Sequence, residues 1–238
     1  MPASCANHNY SYFMLFISMK KIIYRFYLLN TSLFFTLLII SCENKSVVRS
    51  NDNLYEVSPQ NISMIAAATA ILKTGDVVLR KGRGPYSYIL ANLNQVDKSY
   101  SHCGIVVVEH GYPFVYHSIG GEDNPDERMR RDSAVTFFSS KYNSDIAVAR
   151  YTITDGEKDR LVSVIQAFYA AKPKFDLEFD FSTDDKLYCS EFISKALDKA
   201  MNDTSYIKKT YAFSRWCVGI DALYINPHAQ IIRKVKFM

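Results

Sequence analysis

The feature that most constrains the fold is a hairpin signal near the middle of the chain. Residues 103–109 and 114–119 are rich in β-branched and aromatic side chains, and His110-Gly111-Tyr112-Pro113 between them holds the Gly and Pro of a turn. Side chains along a strand alternate between faces, so His102, Gly104, Val106 and Val108 share one face and Val115, His117 and Ile119 share one on the next strand. A two-residue turn at His110-Gly111 would set Glu109 opposite Tyr112 and place His117 diagonal to His102 on a common face. A three-residue loop would separate them.

Around this hairpin the apolar spacing predicts helices over 62–72 and 86–93, a short strand over 75–80 and another over 146–153. Residues 123–132 are charged and contain Pro125, which reads as an exposed loop, and 135–142 reads as a short helix. A longer helix is expected over 156–171, with Asp155 as its N-cap and Lys172-Pro173 ending it. After an acidic, aromatic loop, 175–186, another helix starts near Cys189, with Phe192, Ile193, Ala196, Leu197 and Ala200 as its buried stripe. A strand over 230–237 closes the chain. Hairpin-linked strands with helices packed against them give an α+β class with a mainly antiparallel sheet.

The chain has 238 residues, enough for one ordinary domain and an appendage. The appendage is at the front. Met19-Lys20-Lys21 opens a basic segment, residues 33–40 are apolar except for Thr36, and Ser41-Cys42-Glu43 follows, which is the layout of a secretory signal. The apolar run falls short of the roughly 20 residues that span a bilayer. Ile39-Ile40-Ser41-Cys42 resembles the bacterial lipobox, which implies lipidation of Cys42 and a cell-envelope lipoprotein held to a membrane. The organisation expected is therefore a signal region, 1–41, with Met19 as the true start; a lipidated Cys42 and flexible tether, 42–60; and a folded domain, 61–238.

Removal of 1–41 takes away Lys20, Lys21 and Arg25 and no acidic residue, which brings the net charge of +4 close to zero. Nothing then calls for a nucleic-acid partner. Of the five cysteines, Cys103, Cys189 and Cys217 fall in the folded domain, an odd number that leaves at least one free thiol in an oxidising compartment.

Cys189 stands where a polar loop becomes an amphipathic helix. The unpaired N–H groups and partial positive charge of a helix start stabilise a thiolate and can hold an oxyanion. Cys103, within an apolar strand, and Cys217, after Trp216, read as small packing residues. His102, at the mouth of its strand, is placed to act as a base, and His117 is the candidate third member that fixes its tautomer. His110 and His228 read as surface residues. No Cys-x-x-Cys or His-Glu-x-x-His pair is present, so no metal or cofactor is expected, and no Gly-x-Ser-x-Gly elbow marks a serine nucleophile. Tyr188 and Ser190 flank Cys189 as oxyanion-side or substrate-side candidates.

With these residues assembled, the chain resembles the circularly permuted papain-like hydrolases of the NlpC-like superfamily, in particular the YiiX-like group. The matching stretches are Thr74-Gly75-Asp76-Val77-Val78, Tyr100-Ser101-His102-Cys103-Gly104-Ile105-Val106, residues 114–120, Lys172-Pro173-Lys174-Phe175-Asp176 with Phe179, and Tyr188-Cys189-Ser190-Glu191. The resemblance implies a papain-like fold with Cys189 as nucleophile and His102 as base. A Glu commonly fills the third place in the YiiX-like group; here His117 stands there, as a His does in the lecithin:retinol acyltransferase-like branch. Asp184 and Glu109 are acidic but do not match that place. The activity implied is cleavage of an amide or ester bond, in cell-wall peptides or in lipid or N-acyl groups. An acyltransferase and a catalytically inert binding lipoprotein are the rival readings.

Overall fold

The computed structural model describes residues 57–238 apart from Glu122, Asp123, Pro125 and Phe213. The stretches expected to be a signal region and a tether, with Cys42, lie outside the described residues up to residue 56.

The first helix, α1 (Pro59–Ala70), begins three residues before the expected start because Ser58 caps it, accepting the Asn61 N–H at 3.1 Å, with Pro at the first turn. Next come β1 (Val77–Gly82), α2 (Pro85–Asn92), β2 (His102–Glu109) and β3 (Tyr112–His117). They are followed by β4 (Arg130–Ser133), α3 (Ala134–Phe137), β5 (Asn143–Tyr151), α4 (Asp155–Ala171) and α5 (Cys189–Met201). A small hairpin, β6 (Thr210–Ala212) and β7 (Arg215–Cys217), and a last strand, β8 (Ala229–Lys236), complete the fold.

Six strands form one sheet in the order β4-β3-β2-β1-β5-β8, and every pairing is antiparallel. The class is α+β, as the pattern of elements predicts. One reading is corrected: the charged stretch taken as loop ends in a strand, β4, paired with β3 from Phe114↔Ser133 to His117↔Arg130. The α4 cap also shifts by one residue. Thr154 accepts the Glu157 N–H while Glu157 reaches back to the Thr154 N–H at 2.7 Å, a reciprocal capping box that outcompetes Asp155.

The sheet is covered on both faces. On one, Val77, Leu79, Cys103, Ile105, Val107 and Ala147 pack against α4 (Leu161, Ile165, Phe168) and α5 (Phe192, Ile193, Ala196, Leu197). On the other, Val78, Val106, Val115 and Val148 pack against α1 (Ile65, Ala68) and α3 (Phe137). Central strand β1 is buried both ways: Val77, Val78 and Leu79 have no exposure, and full burial of each such side chain stabilises by about 1.5–3 kcal/mol.

The Thr74-Gly75-Asp76 motif is the structural entry to this sheet. Gly75 adopts φ +93°, and a Cβ there would lie 2.8 Å from Ile153 Cδ1. Thr74 Oγ1 accepts the Val108 N–H at 2.9 Å. Buried Asp76 accepts the Lys73 N–H at 2.8 Å and takes a two-point ion pair from Arg150, at 2.8 and 2.7 Å.

Candidate active site

The β2–β3 turn is the two-residue form. His110 and Gly111 both have positive φ, 50° and 84°, and Glu109 lies opposite Tyr112. That register carries Gly104 alongside His117, where a Cβ on residue 104 would stand 3.3 Å from the His117 Cβ and 2.3 Å from Val115 Cγ1. Only glycine fits so close an approach. One step further along the same face is His102, and its Nε2 lies 2.9 Å from His117 Nδ1.

The row continues onto β4. Val115 pairs with Asp132 and His117 with Arg130, so both β4 side chains share the histidines' face. His117 Nε2 is 3.1 Å from Asp132 Oδ2, and Arg130 donates to Asp132 Oδ1 at 3.0 Å. The Phe137 ring of α3 closes over both imidazoles, with centroids 5.7 Å from His102 and 5.2 Å from His117. Burial pushes both histidines below their ordinary range, His117 to about 4, so both rings are neutral at pH 7. Arg80, paired with His102 in the β1–β2 register, adds to that depression through its charge.

Cys189 is the first residue of α5 and is 8 % exposed. Its thiol meets Cys103, whose S–H and backbone N–H, together with the helix-start N–H groups of Cys189 and Ser190, hold it below the usual thiol range against the effect of burial. Burial pushes the Cys103 thiol the other way, well above its usual range. Cys103, read from the sequence as simple packing, is therefore the donor that supports the thiolate of Cys189. Replacing Cys103 with alanine should move the pH midpoint of Cys189 alkylation upward by roughly one unit, the worth of one hydrogen bond to a charged group. Iodoacetamide rates measured from pH 6 to 10 check this.

The structure brings His102 and His117 together, and it brings Cys189 to Cys103. Among the described residues no hydrogen bond joins Cys189 to His102. The side chains of His102 and Cys103 leave β2 on opposite faces, and the Cys189 thiol meets both the Cys103 side chain and its backbone N–H, which lies between the two faces.

Tyr188 and Ser190 have their hydroxyls committed to Val218. The Val218 N–H donates to the Tyr188 hydroxyl at 2.8 Å, and Ser190 Oγ donates to the Val218 carbonyl at 2.7 Å. These bonds pin the end of the β6–β7 hairpin to the start of α5. That hairpin, which the apolar spacing did not reveal, carries exposed Tyr211 and Trp216 beside a groove of about 530 Å³ that Asp180, Phe181, Lys209 and Arg215 also line.

Glu109 is held by the Tyr116 hydroxyl and Arg131, and Asp184 by Lys195 and Lys199, so neither meets the imidazoles. His110 is exposed in the turn, whereas His228 stacks on Tyr206 at 4.1 Å. Asp132 was missed because it sat in a stretch read as loop. The available signal was the alternation of Arg130 and Asp132, a pattern that short charged runs share with loops.

An all-antiparallel six-stranded sheet with helices packed on both faces defines an α+β class of domain, and the same fold is found among solved structures. The metalloprotein YiiX from Escherichia coli O157:H7 is similar in crystal structure, with a TM-score of 0.56 and 17 % identity over 69 % of this chain and 98 % of that one. The chain thus has the YiiX-like fold. No protein-family model and no curated protein matches it.

Proposed function

We propose that the protein is a thiol-dependent hydrolase of the amidase or peptidase type, with Cys189 as nucleophile and His102 as base. The observation that carries this reading is a thiol at the first residue of a helix, held below its usual range beside Cys103, the strand neighbour of the buried neutral imidazole of His102.

In this reading the Cys189 sulfur attacks a carbonyl carbon and its proton passes to His102. Collapse of the tetrahedral adduct expels an amine or alcohol, which takes the proton back from His102, and leaves a thioester on Cys189. Water then adds to the thioester with His102 again taking a proton, and the free acid and thiol are released. The N–H groups of Cys189 and Ser190 at the helix start supply the donors for the oxyanion. The hydroxyls of Tyr188 and Ser190, held by Val218, shape the wall beside the thiol. Substrates of the compartment reached by an exported, Cys42-anchored lipoprotein are cell-wall peptides on the one hand and acyl groups on the other.

YiiX is described as a metalloprotein. The donors here do not fit a metal: His102 Nε2 and His117 Nδ1 face each other at 2.9 Å, and His117 Nε2 is taken up by Asp132, so their lone pairs do not converge on a common point. Among the described residues no three His, Cys, Asp or Glu side chains do.

An acylating thiol probe at pH 7 tests the proposal. Cys189 should label selectively, and His102→Ala should slow labelling by about 100-fold or more, the usual worth of a general base. Labelling of Cys217 at the same rate as Cys189, or labelling of Cys189 that His102→Ala leaves unchanged, would identify an inert binding lipoprotein instead. Product analysis with added alcohol or amine acceptors separates hydrolase from acyltransferase.

A further inference from the structure

We propose that Asp132 is a positioning residue that fixes the tautomers of His117 and His102 in series, leaving His102 Nδ1 as the one bare imidazole nitrogen of the row. The catalytic part of this inference rests on the thiol-hydrolase reading; the tautomer assignment stands without it.

The argument begins at the end of the row. A carboxylate only accepts hydrogen bonds, so at 3.1 Å from Asp132 Oδ2 the His117 Nε2 must carry a proton. Burial works against the Asp132 charge, but the His117 hydrogen bond and Arg130 hold its carboxyl below the ordinary range. The His117 ring is buried and neutral, with one proton, so its Nδ1 is an acceptor. His102 Nε2, 2.9 Å away, must then be the donor. His102 is neutral as well, and its single proton is spent in that bond. Its Nδ1 is left with a free lone pair.

The reverse assignment would set two N–H groups, or two lone pairs, against each other inside the protein. The charged groups that bear on the row are Arg80 from β1 and Arg130 with Asp132 from β4; α3 contributes only the uncharged Phe137 ring. Asp132 is the one anion among them, and the one group able to give the row a direction. Without it, His117 can carry its proton on either nitrogen, and half of the resulting states protonate the nitrogen a base needs free.

The test uses the chain labelled with 15N-histidine and two-bond 1H–15N NMR at pH 7. Both His102 and His117 should show the Nε2–H tautomer in the wild type. Asp132→Asn, whose amide can donate as well as accept, should move His117 and His102 toward mixed tautomers, and Asp132→Glu should restore the wild-type pattern. Acylation of Cys189 at pH 7 should fall at least about tenfold in Asp132→Asn. Its alkylation by iodoacetamide at pH 10, where no base is needed, should stay within about twofold.

An Nδ1–H signal on His102 in the wild type, or tautomers unmoved by Asp132→Asn, would overturn the inference. The expected tautomers together with a wild-type Cys189 that acylates no faster than Cys217 would support it and remove the hydrolase reading. The wild-type spectrum alone is decisive if Asp132→Asn does not fold.

Discussion

Replacing Arg150 with methionine should lower the melting temperature of the domain by about 10 °C, while Asp76→Asn should lower it by only about 3 °C. The two residues form one ion pair, yet their surroundings differ: the Asp76 side chain is 2 % exposed and that of Arg150 31 %. Removing the arginine strands a carboxylate inside the sheet entry with only the Lys73 N–H for company. An uncompensated buried charge costs about 3–5 kcal/mol. Removing the acid leaves a guanidinium that still bonds the Ile71 carbonyl at 2.7 Å and reaches water. Thermal unfolding followed by circular dichroism reads both. Because the partners touch, the double variant should lose less than the sum of the single losses, and equal losses from the two single variants would contradict the asymmetry.

The second large effect lies in the pH dependence of stability and comes from Glu191. This side chain has no exposure, and burial pushes its carboxyl up to about 8 from an ordinary 4.5, even though Lys195 stands 2.9 Å away and the Tyr188 N–H donates to it at 3.1 Å. Lys195 cannot offset the burial because it is shared with Asp184 and the Thr183 carbonyl. The folded protein thus keeps a proton that the unfolded chain releases. Stability from this group is complete below about pH 4.5 and is lost as pH rises toward about 8, a span worth on the order of 5 kcal/mol.

The buried histidines act in the opposite sense. Their folded values are depressed, so their contribution is present above about pH 6.5 and lost as pH falls, for His117 through about 4. The wild-type melting temperature should therefore peak in mildly acidic solution and fall toward pH 8. Glu191→Gln, which keeps an acceptor for the Tyr188 N–H, should remove the alkaline fall and retain the acid one. A variant whose melting temperature declines toward pH 8 as steeply as the wild type would show that Glu191 is not its source.

The local chemistry of the chain settled most of its elements and narrowed one critical register to two alternatives. The sequence around His110-Gly111 allowed a two-residue turn or a three-residue loop; the structure forms the two-residue turn, and a period of two then leaves His102 and His117 no choice but to share a face. The buried stripe of α5 was equally legible, because a 3.6-residue period in Phe192, Ile193, Ala196 and Leu197 is read directly from spacing. Each of these side chains has no exposure. The α+β class follows from the same short-range rules.

Tertiary structure alone decided the rest. Strand β4 has no apolar alternation and exists because β3 offers it an edge, so the place of Asp132 beside His117 could not be read from its own neighbours in sequence. The partner of Cys189 was decided in the same way. A helix start tells that a thiolate is favoured there, but the packing of α5 on the sheet determines that the thiol meets Cys103. Spacing along a chain carries information about residues one turn or one pleat apart. The approach of two side chains separated by 86 positions depends on how whole elements pack, and that is set by the sum of many contacts that no single stretch of sequence contains.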